Sequence, residues 1–381
     1  MNTQYQYDYI ITGAGCGGLS FAMHLINSAK FQHKKILIVD KDAKTKNDRT
    51  WCFWEKEENL FQPIVAKEWE QLSIFSNNFS KDLTISPYRY KLIHGKDYYN
   101  YCLSHIHAQK NIQFLQADVQ EIYSNETTGA IINDQHYTCQ FLFNSIIFQK
   151  TQLKKGEFYL LQHFKGWYIE SSEPVFDSSQ ATLMDFRTEQ KNETRFFYVL
   201  PFSAHRGLVE FTIFSKKILN DEAYEAELEN HIRYTLKIKN YSITEKELGV
   251  IPMTNMRFLQ RQNNIINLGT AGGQTKGSSG YTFGFIQKHS FSLVQSLVQH
   301  GHPFATKRNL KRFHFYDSVL LNILHHNKIA GMDIFSQLFR KNKAREVFKF
   351  LDNETNLGED LKIISSLPSF PFIKAGIAQL S

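Results

Sequence analysis

No stretch of the chain reaches the roughly 18 consecutive apolar residues that a membrane-crossing helix needs, so an integral helical span is excluded as a reading. Cysteine is scarce: Cys16, Cys52, Cys102 and Cys139 contain no C-x-x-C pair, which points to a reducing compartment and away from structural zinc. His325-His326 lacks the carboxylates or further histidine of a metal centre, so no metal is expected. Basic residues outnumber acidic ones to a net charge of +7, yet there is no compact Lys/Arg run and no nucleic-acid module. Nucleic acid is therefore not expected as a partner, and the surplus suits a phosphorylated cofactor or an acidic lipid surface. The opening "MNTQYQYDYIITGAG" enters a strand directly, without the basic region and long apolar core of a secretory signal. The expected location is the cytoplasm, with peripheral contact at the inner membrane. No internal repeat or low-complexity tract is present.

What the chain does have is aromatic rings. It carries 32 Phe and 18 Tyr within a hydrophobic fraction of 42%, enough for proper cores. Two readings stay open: Phe-rich packing, or a long apolar cavity lined by π faces. At 381 residues the chain exceeds one ordinary domain, and two interleaved lobes are expected.

Tyr7 to Thr12 reads as a short buried parallel strand. Gly13, Gly15 and Gly18 follow as G-x-G-x-x-G, and "LSFAMHLINSA" continues with helical spacing at Leu19, Ala22, Met23 and Ile26. "KKILIVD" then forms a second apolar strand ending in Asp40, 22 residues after Gly18. In such a unit Gly13 permits the tight turn, Gly15 lets a pyrophosphate approach the backbone, and Gly18 lets helix and strand pack closely. The helix N-terminus attracts phosphate, and Asp40 can accept from a ribose. Cys16 within this loop is read as a small filler residue.

A cradle near the start followed by a long remainder fits a flavoprotein whose FAD domain is split by a substrate domain. The second glycine-rich stretch such a domain needs is "NIINLGTAGGQTKGSSGYTFGF", with Gly269, Gly272, Gly273 and Gly280 in the loop and a helix from about Phe283. Loop amides at that helix N-terminus suit the negative edge of a flavin. The expected fold is α/β: a Rossmann-like FAD domain (residues 1–70, 90–150 and 245–300), an interleaved β-sheet substrate domain (71–89 and 151–244) and C-terminal helices (301–381).

Between the two glycine stretches, "NDRTWCFWE" (Asn47 to Glu55), "QHFKGWYIE", "ATLMDFR", "FFYVLPFS", "GLVEFTIFS" and "ELGVIPMT" follow in order. Together with "GTAGGQTKGSSGYTFGF" they resemble the bacterial and plant-type lycopene cyclases, most closely the bacterial β-cyclase branch, over residues 7–290. The resemblance implies a flavoprotein monooxygenase-like fold. It also implies conversion of lycopene through γ-carotene to β-carotene with no net redox change, with reduced FAD as cofactor and NAD(P)H as its reductant. Lycopene and related linear carotenoids would be the small-molecule partners. In the motif "LVEFT" it makes Glu210 the acid. The family usually carries two acids before the Thr; here the second is Phe211. Many related flavoproteins carry Gly-Asp where this chain has Gly269-Thr270, and many use a basic residue on FAD at the position of Arg49.

The chemistry asks for one positioned acid in apolar surroundings, where a carboxyl stays protonated near neutrality. Ring faces can stabilise the transient cation, and Trp51, Phe53, Trp54, Phe197, Tyr198 and Phe211 are the candidates for substrate contact. "DIFSQLFRKNKAREVFKFLD" reads as a basic amphipathic helix that lies on a bilayer or covers a core. The rival function is an FAD monooxygenase or isoprenoid reductase on the same fold. A third is a carotenoid carrier without chemistry.

Overall fold

The computed structural model describes residues 6–148, 152–306 and 311–380. The first residues of the opening stretch, and the expected domain boundary at residues 150 and 151, lie outside the described residues. The chain enters β1 (Tyr7–Thr12), turns into α1 (Cys16–Ser28) and returns as β2 (Ile36–Asp40). β3 (Thr50–Glu55), β4 (Lys67–Trp69), β5 (Gln71–Ser76), β6 (Phe79–Thr84) and β7 (Arg89–His94) lead into α2 (Gly95–His107). β8 (Ile112–Gln116), β9 (Val119–Ser124), β10 (Thr128–Ile132) and β11 (Gln135–Asn144) follow. Then come β12 (Tyr159–Glu170), β13 (Gln180–Asp185), β14 (Thr194–Pro201), β15 (Arg206–Ser215), α3 (Asp221–Asn230) and β16 (Ser242–Thr254). β17 (Arg261–Gln262), β18 (Ile265–Asn267) and α4 (Phe283–His300) precede the C-terminal helices α5 (Lys311–His325), α6 (Gly331–Lys341), α7 (Ala344–Leu351), α8 (Leu357–Ser365) and α9 (Ser369–Leu380).

Two large sheets organise the molecule. In the first, β18, β11, β1, β2 and β8 run parallel side by side, with the β9–β10 meander and β17 attached antiparallel. Its middle strands are buried on both faces, which is why "YDYIIT" and "ILIVD" read as unbroken apolar runs. The helices α1, α2 and α4 cover one face through Leu19, Tyr98, Leu293 and their neighbours.

The second sheet has the order β16-β12-β15-β14-β13-β5-β6. Residues 245–254 of β16 fall in a stretch expected in the FAD domain, but the strand pairs along its length with β12 in this substrate sheet. A third, three-stranded sheet, β3-β7-β4, bridges the two.

Successive residues of a strand face opposite sides. On β14 and β15, Phe196, Tyr198, Leu200, Leu208 and Phe214 pack toward the C-terminal helices, whereas Phe197, Val199, Val209, Phe211 and Ile213 pack toward α3. The expected amphipathic helix is two helices, broken at Asn342, whose backbone is extended. Its apolar residues Ile334, Phe335, Leu338, Phe339, Val347 and Phe348 are all buried against the second sheet. That face is committed to the core, and the bilayer reading of this segment is corrected accordingly. Among the described residues no helix is long and apolar enough to cross a membrane.

Phe348 is fully buried and stacks on Trp54 with ring centroids 4.5 Å apart. Phe348→Ala should therefore lower unfolding stability by about 3–5 kcal/mol in chemical denaturation, the cost of a large core truncation. A loss under about 1 kcal/mol would show that the C-terminal helices are only loosely docked.

Candidate active site

The first functional element is the turn from β1 to α1. Gly13 has φ +89, and a Cβ on Gly18 would lie 1.9 Å from the Gly13 carbonyl oxygen. The space beside Gly15 is open for 4 Å. Gly15 caps α1 without any side-chain cap, and no acidic residue occupies the first turn, so its amides face outward unneutralised. Gly17 has a separate role: a Cβ there would sit 3.1 Å from the Gly269 Cα and backbone nitrogen. The late glycine loop thus rests directly on the early one.

Asp40 sits at the end of β2. Its Oδ2 accepts from the Ala14 amide at 2.6 Å and pairs with Lys44 Nζ at 3.1 Å, while Oδ1 accepts from the Asp42 amide. Asp40 thus braces the glycine turn between β1 and α1. Arg49 is exposed, 3.4 Å from Asp48, and its carbonyl accepts from the Gly95 amide. Burial pushes the Cys16 thiol up to about 12, which leaves it without thiolate chemistry.

The second element is the loop before α4. Gly269, Gly273 and Gly280 all have positive φ, and Gly269–Gly272 forms a short 3₁₀ turn. The N-terminus of α4 has no side-chain cap either. In or next to this loop four buried polar atoms have no partner: Trp51 Nε1, Gln162 Oε1, Gln274 Oε1 and Ser279 Oγ. Orphaned polar atoms in such a place fit a polar ring system laid against them.

The third element is a cavity of about 100 Å3 between the sheets, lined by Thr50, Trp51, Cys52, Tyr90, Gln162, Phe164, Tyr198, Leu200, Leu208, Glu210, Ile251, Gly280, Tyr281 and Phe283. Glu210 stands in it on β15. Directly across β12 lies Gly166, and across Gly166 on β16 lies Glu247. With no side chain between them, the two carboxyls meet over the glycine: a Cβ on Gly166 would fall 2.9 Å from Glu247 Cγ and 3.0 Å from its Oε1. Burial first, and then the charge of Glu247, hold Glu210 well above the usual carboxylate range; Thr212, donating to Glu210 Oε1 at 2.6 Å, opposes this. Burial also raises Glu247, while Thr50 Oγ1, donating to Glu247 Oε2 at 2.5 Å, favours its ionised form. Both carboxyls are thus held toward their protonated forms, Glu210 the more strongly.

Around this acid the walls are rings. Tyr198 and Tyr281 approach with hydroxyls 3.5 Å apart, and burial pushes Tyr281 up to about 12, so it stays neutral. Cys52 is raised likewise, by burial and by Glu210 and Glu247. Trp54, Tyr198, Ser279 and Tyr281 also line a second, apolar cavity continuing under α6 and α7 to Phe335, Leu338, Phe339, Phe348 and Leu351.

Of the candidate substrate residues, Trp51 and Tyr198 line the acid cavity and Trp54 lines its apolar continuation. Phe53 lies behind, stacked on Phe283 at 4.3 Å. Phe197 and Phe211 do not line it: they stack on each other at 4.7 Å on the α3 side of the sheet, because they are one residue out of phase with Tyr198 and Glu210. Glu247, Gly166, Thr50, Tyr90 and Tyr281 are the site residues that sequence reasoning missed. A signal existed for Glu247, which stands in a quoted motif with its side chain in phase with Ile251. Among the described residues no group of three or more His, Cys, Asp or Glu could hold a metal.

Solved structures of similar fold include a geranylgeranyl bacteriochlorophyll reductase-like protein from Thermoplasma acidophilum, with TM-score 0.59, 12% identity, and coverage of 97% of this chain and 95% of that one. Another is a flavoprotein/dehydrogenase from Cytophaga hutchinsonii, with TM-score 0.64, 12% identity, and coverage of 98% and 99%. At such identity the likeness establishes the fold, a Rossmann-like α/β architecture with an interleaved sheet. A curated relative, the chloroplastic neoxanthin synthase of Solanum tuberosum, is 25% identical over 303 residues, 72% of this chain. The chain spans 57% of that relative's length. The family model described as "Lycopene cyclase protein" matches residues 8–376, nearly the whole length and all three elements of the site, so the chain belongs to the lycopene cyclase family.

Proposed function

We propose that the protein is a lycopene β-cyclase that closes the ends of linear carotenoids into β-ionone rings by acid catalysis, without net redox change. The observation that carries this reading is Glu210, a buried carboxyl paired with Glu247 and facing a cavity walled by aromatic rings. The neighbouring cavity is lined mainly by apolar side chains, Leu183, Met184, Phe214, Phe335, Leu338, Phe339, Phe348 and Leu351, and suits a polyene.

The residues divide the work. Glu210 gives its proton to a terminal C=C, leaving a tertiary cation. Trp51, Tyr90, Tyr198, Tyr281 and Phe283 present ring faces to that cation, each worth about 1–2 kcal/mol when desolvated. Glu210 is then ionised, which stabilises the cation further. The neighbouring double bond attacks, a ring C–H proton returns to the carboxyl pair, and the product has the mass of the substrate.

The cradle residues fit FAD: Gly13, Gly15 and the α1 amides at the pyrophosphate, Asp40 near the ribose, and the Gly269–Gly280 loop with Gln162, Ser279 and Trp51 at the ring. In its reduced form, with NAD(P)H as reductant, FAD supplies electron density beside the cavity. Arg49, exposed near the α1 N-terminus, completes the positive surroundings of the phosphates.

The substrate dissolves in lipid, and five strongly exposed apolar residues stand on the last two helices. Leu357 and Leu361 of α8, and Phe370, Ile373 and Ile377 of α9, are all 60% or more exposed. This face, with the net charge of +7, fits peripheral docking on the acidic inner membrane from the cytoplasm.

Lycopene supplied in lipid with reduced FAD should yield a cyclised product of unchanged mass by pigment chromatography and mass spectrometry. Gain of oxygen or of two hydrogens would favour the monooxygenase or reductase reading. Glu210→Gln should lower turnover by at least about 10²-fold with FAD still bound; near-normal turnover would remove Glu210 from the chemistry. Since the active acid is neutral with a raised folded value, activity and the contribution of Glu210 to stability both fall as pH rises through that value. Glu210→Gln should accordingly gain in Tm relative to the wild type on going from about pH 6 to about pH 9. A gap independent of pH would mean the carboxyl is not desolvated. Gly166→Ala, which pushes Glu247 aside, should cost roughly 10- to 100-fold in turnover at near-normal Tm. In sedimentation with anionic phospholipid vesicles, Phe370→Asp with Ile373→Asp should abolish binding; unchanged binding would place the contact elsewhere.

A further inference from the structure

The acid lies at the bottom of a cavity whose mouth the substrate fills. With an apolar chain in place, water cannot reach Glu210 from the front, so proton exchange between Glu210 and solvent needs another way through the protein.

One exists along the same face of the sheet, to the side of the cavity. Thr50 has a single hydroxyl proton and commits it to Glu247 Oε2. Its oxygen is 3.0 Å from the Tyr168 hydroxyl, which must then be the donor of that bond. The Tyr168 oxygen is in turn 3.4 Å from His94 Nδ1, and with its own proton committed it accepts from that nitrogen. Every donor in the row points the same way, toward the carboxyl pair. Tyr168 is fully buried, whereas His94 is partly exposed at the junction of β7 and α2. The elements around His94 contribute Asp97 from α2, Glu245 from β16, Arg206 from β15, Tyr168 from β12 and the Phe202 ring at 5.8 Å. Burial lowers His94, against Asp97 and Glu245, so the ring is neutral near pH 7 and able to take a proton on one nitrogen while giving one from the other.

We infer that His94, Tyr168, Thr50 and Glu247 form a relay that carries protons between solvent and Glu210 along the sheet, past the side of the cavity. A proton arriving on His94 Nε2 releases the Nδ1 proton to Tyr168, Tyr168 passes its own to Thr50, and Thr50 passes its own to Glu247. The carboxyl pair then holds the extra proton, and reorientation of the hydroxyls resets the row. No oxidant or further reactant is required. The inference rests on the proposed role of Glu210 as acid. Glu247, Thr50, Tyr168 and His94 are positioning and relay groups that need not touch the substrate.

The test is hydrogen–deuterium exchange of the protonated carboxyl, timed by infrared spectroscopy of its carbonyl stretch in the FAD-loaded full chain with a saturated long-chain hydrocarbon, which cannot be protonated, filling the cavity. Glu210→Gln identifies the band. Tyr168→Phe keeps the ring and removes the hydroxyl, and should slow exchange by roughly tenfold or more. His94→Ala should slow it comparably, with imidazole in the buffer restoring the rate, an effect no merely structural role would give. Exchange as fast in Tyr168→Phe as in the wild type would overturn the relay, as would a His94→Ala defect that imidazole leaves untouched. Wild-type protein that exchanges this proton yet fails to cyclise lycopene would sink the proposed function and leave the relay standing.

Discussion

Two carboxyls that resist being charged organise this molecule. Moving either into an apolar cavity is unfavourable in the ionised form, and bringing them together across Gly166 makes a second charge costlier still. Burial holds both toward their protonated forms, and Thr212 and Thr50 each donate to one oxygen of the pair. The aromatic walls, the neutral tyrosines and the high thiol of Cys52 follow from the same low-dielectric setting.

The fold exists to bring that pair to a nucleotide cradle. Glu210, Gly166 and Glu247 lie on three neighbouring strands of one sheet, and the glycine-rich turns lie at the edge of another. Thr50 and Trp51 come from the small sheet wedged between them. Each component therefore arrives on a rigid element, with separation in sequence replaced by a fixed register across hydrogen-bonded strands.

Much of this was legible in the residues. The apolar runs of β1 and β2, the spacing of Gly13, Gly15 and Gly18, and the late glycine loop are local patterns with local physics, and the structure places them as a Rossmann-like unit. Glu210 was legible through its motif. Strand register was not: Phe197 and Phe211 look as suitable as Tyr198 until alternation sends them to the other face of the sheet. Pairing across strands was invisible too. The motif lacks its second acid because Phe211 stands there, yet Glu247 restores a carboxyl from a strand that no spacing rule connects to Glu210. Likewise, the amphipathic pattern of residues 332–351 could not say whether protein or lipid covers it. The second sheet does.

The contact of Gly17 with Gly269 has a consequence for biogenesis. Gly17 meets a glycine some 250 residues further along the chain, with every strand of the second sheet lying between them. A nascent polypeptide thus carries the early glycine turn unbuttressed while those strands are made. Loading with the proposed cofactor becomes a late event, after the second sheet has left the ribosome.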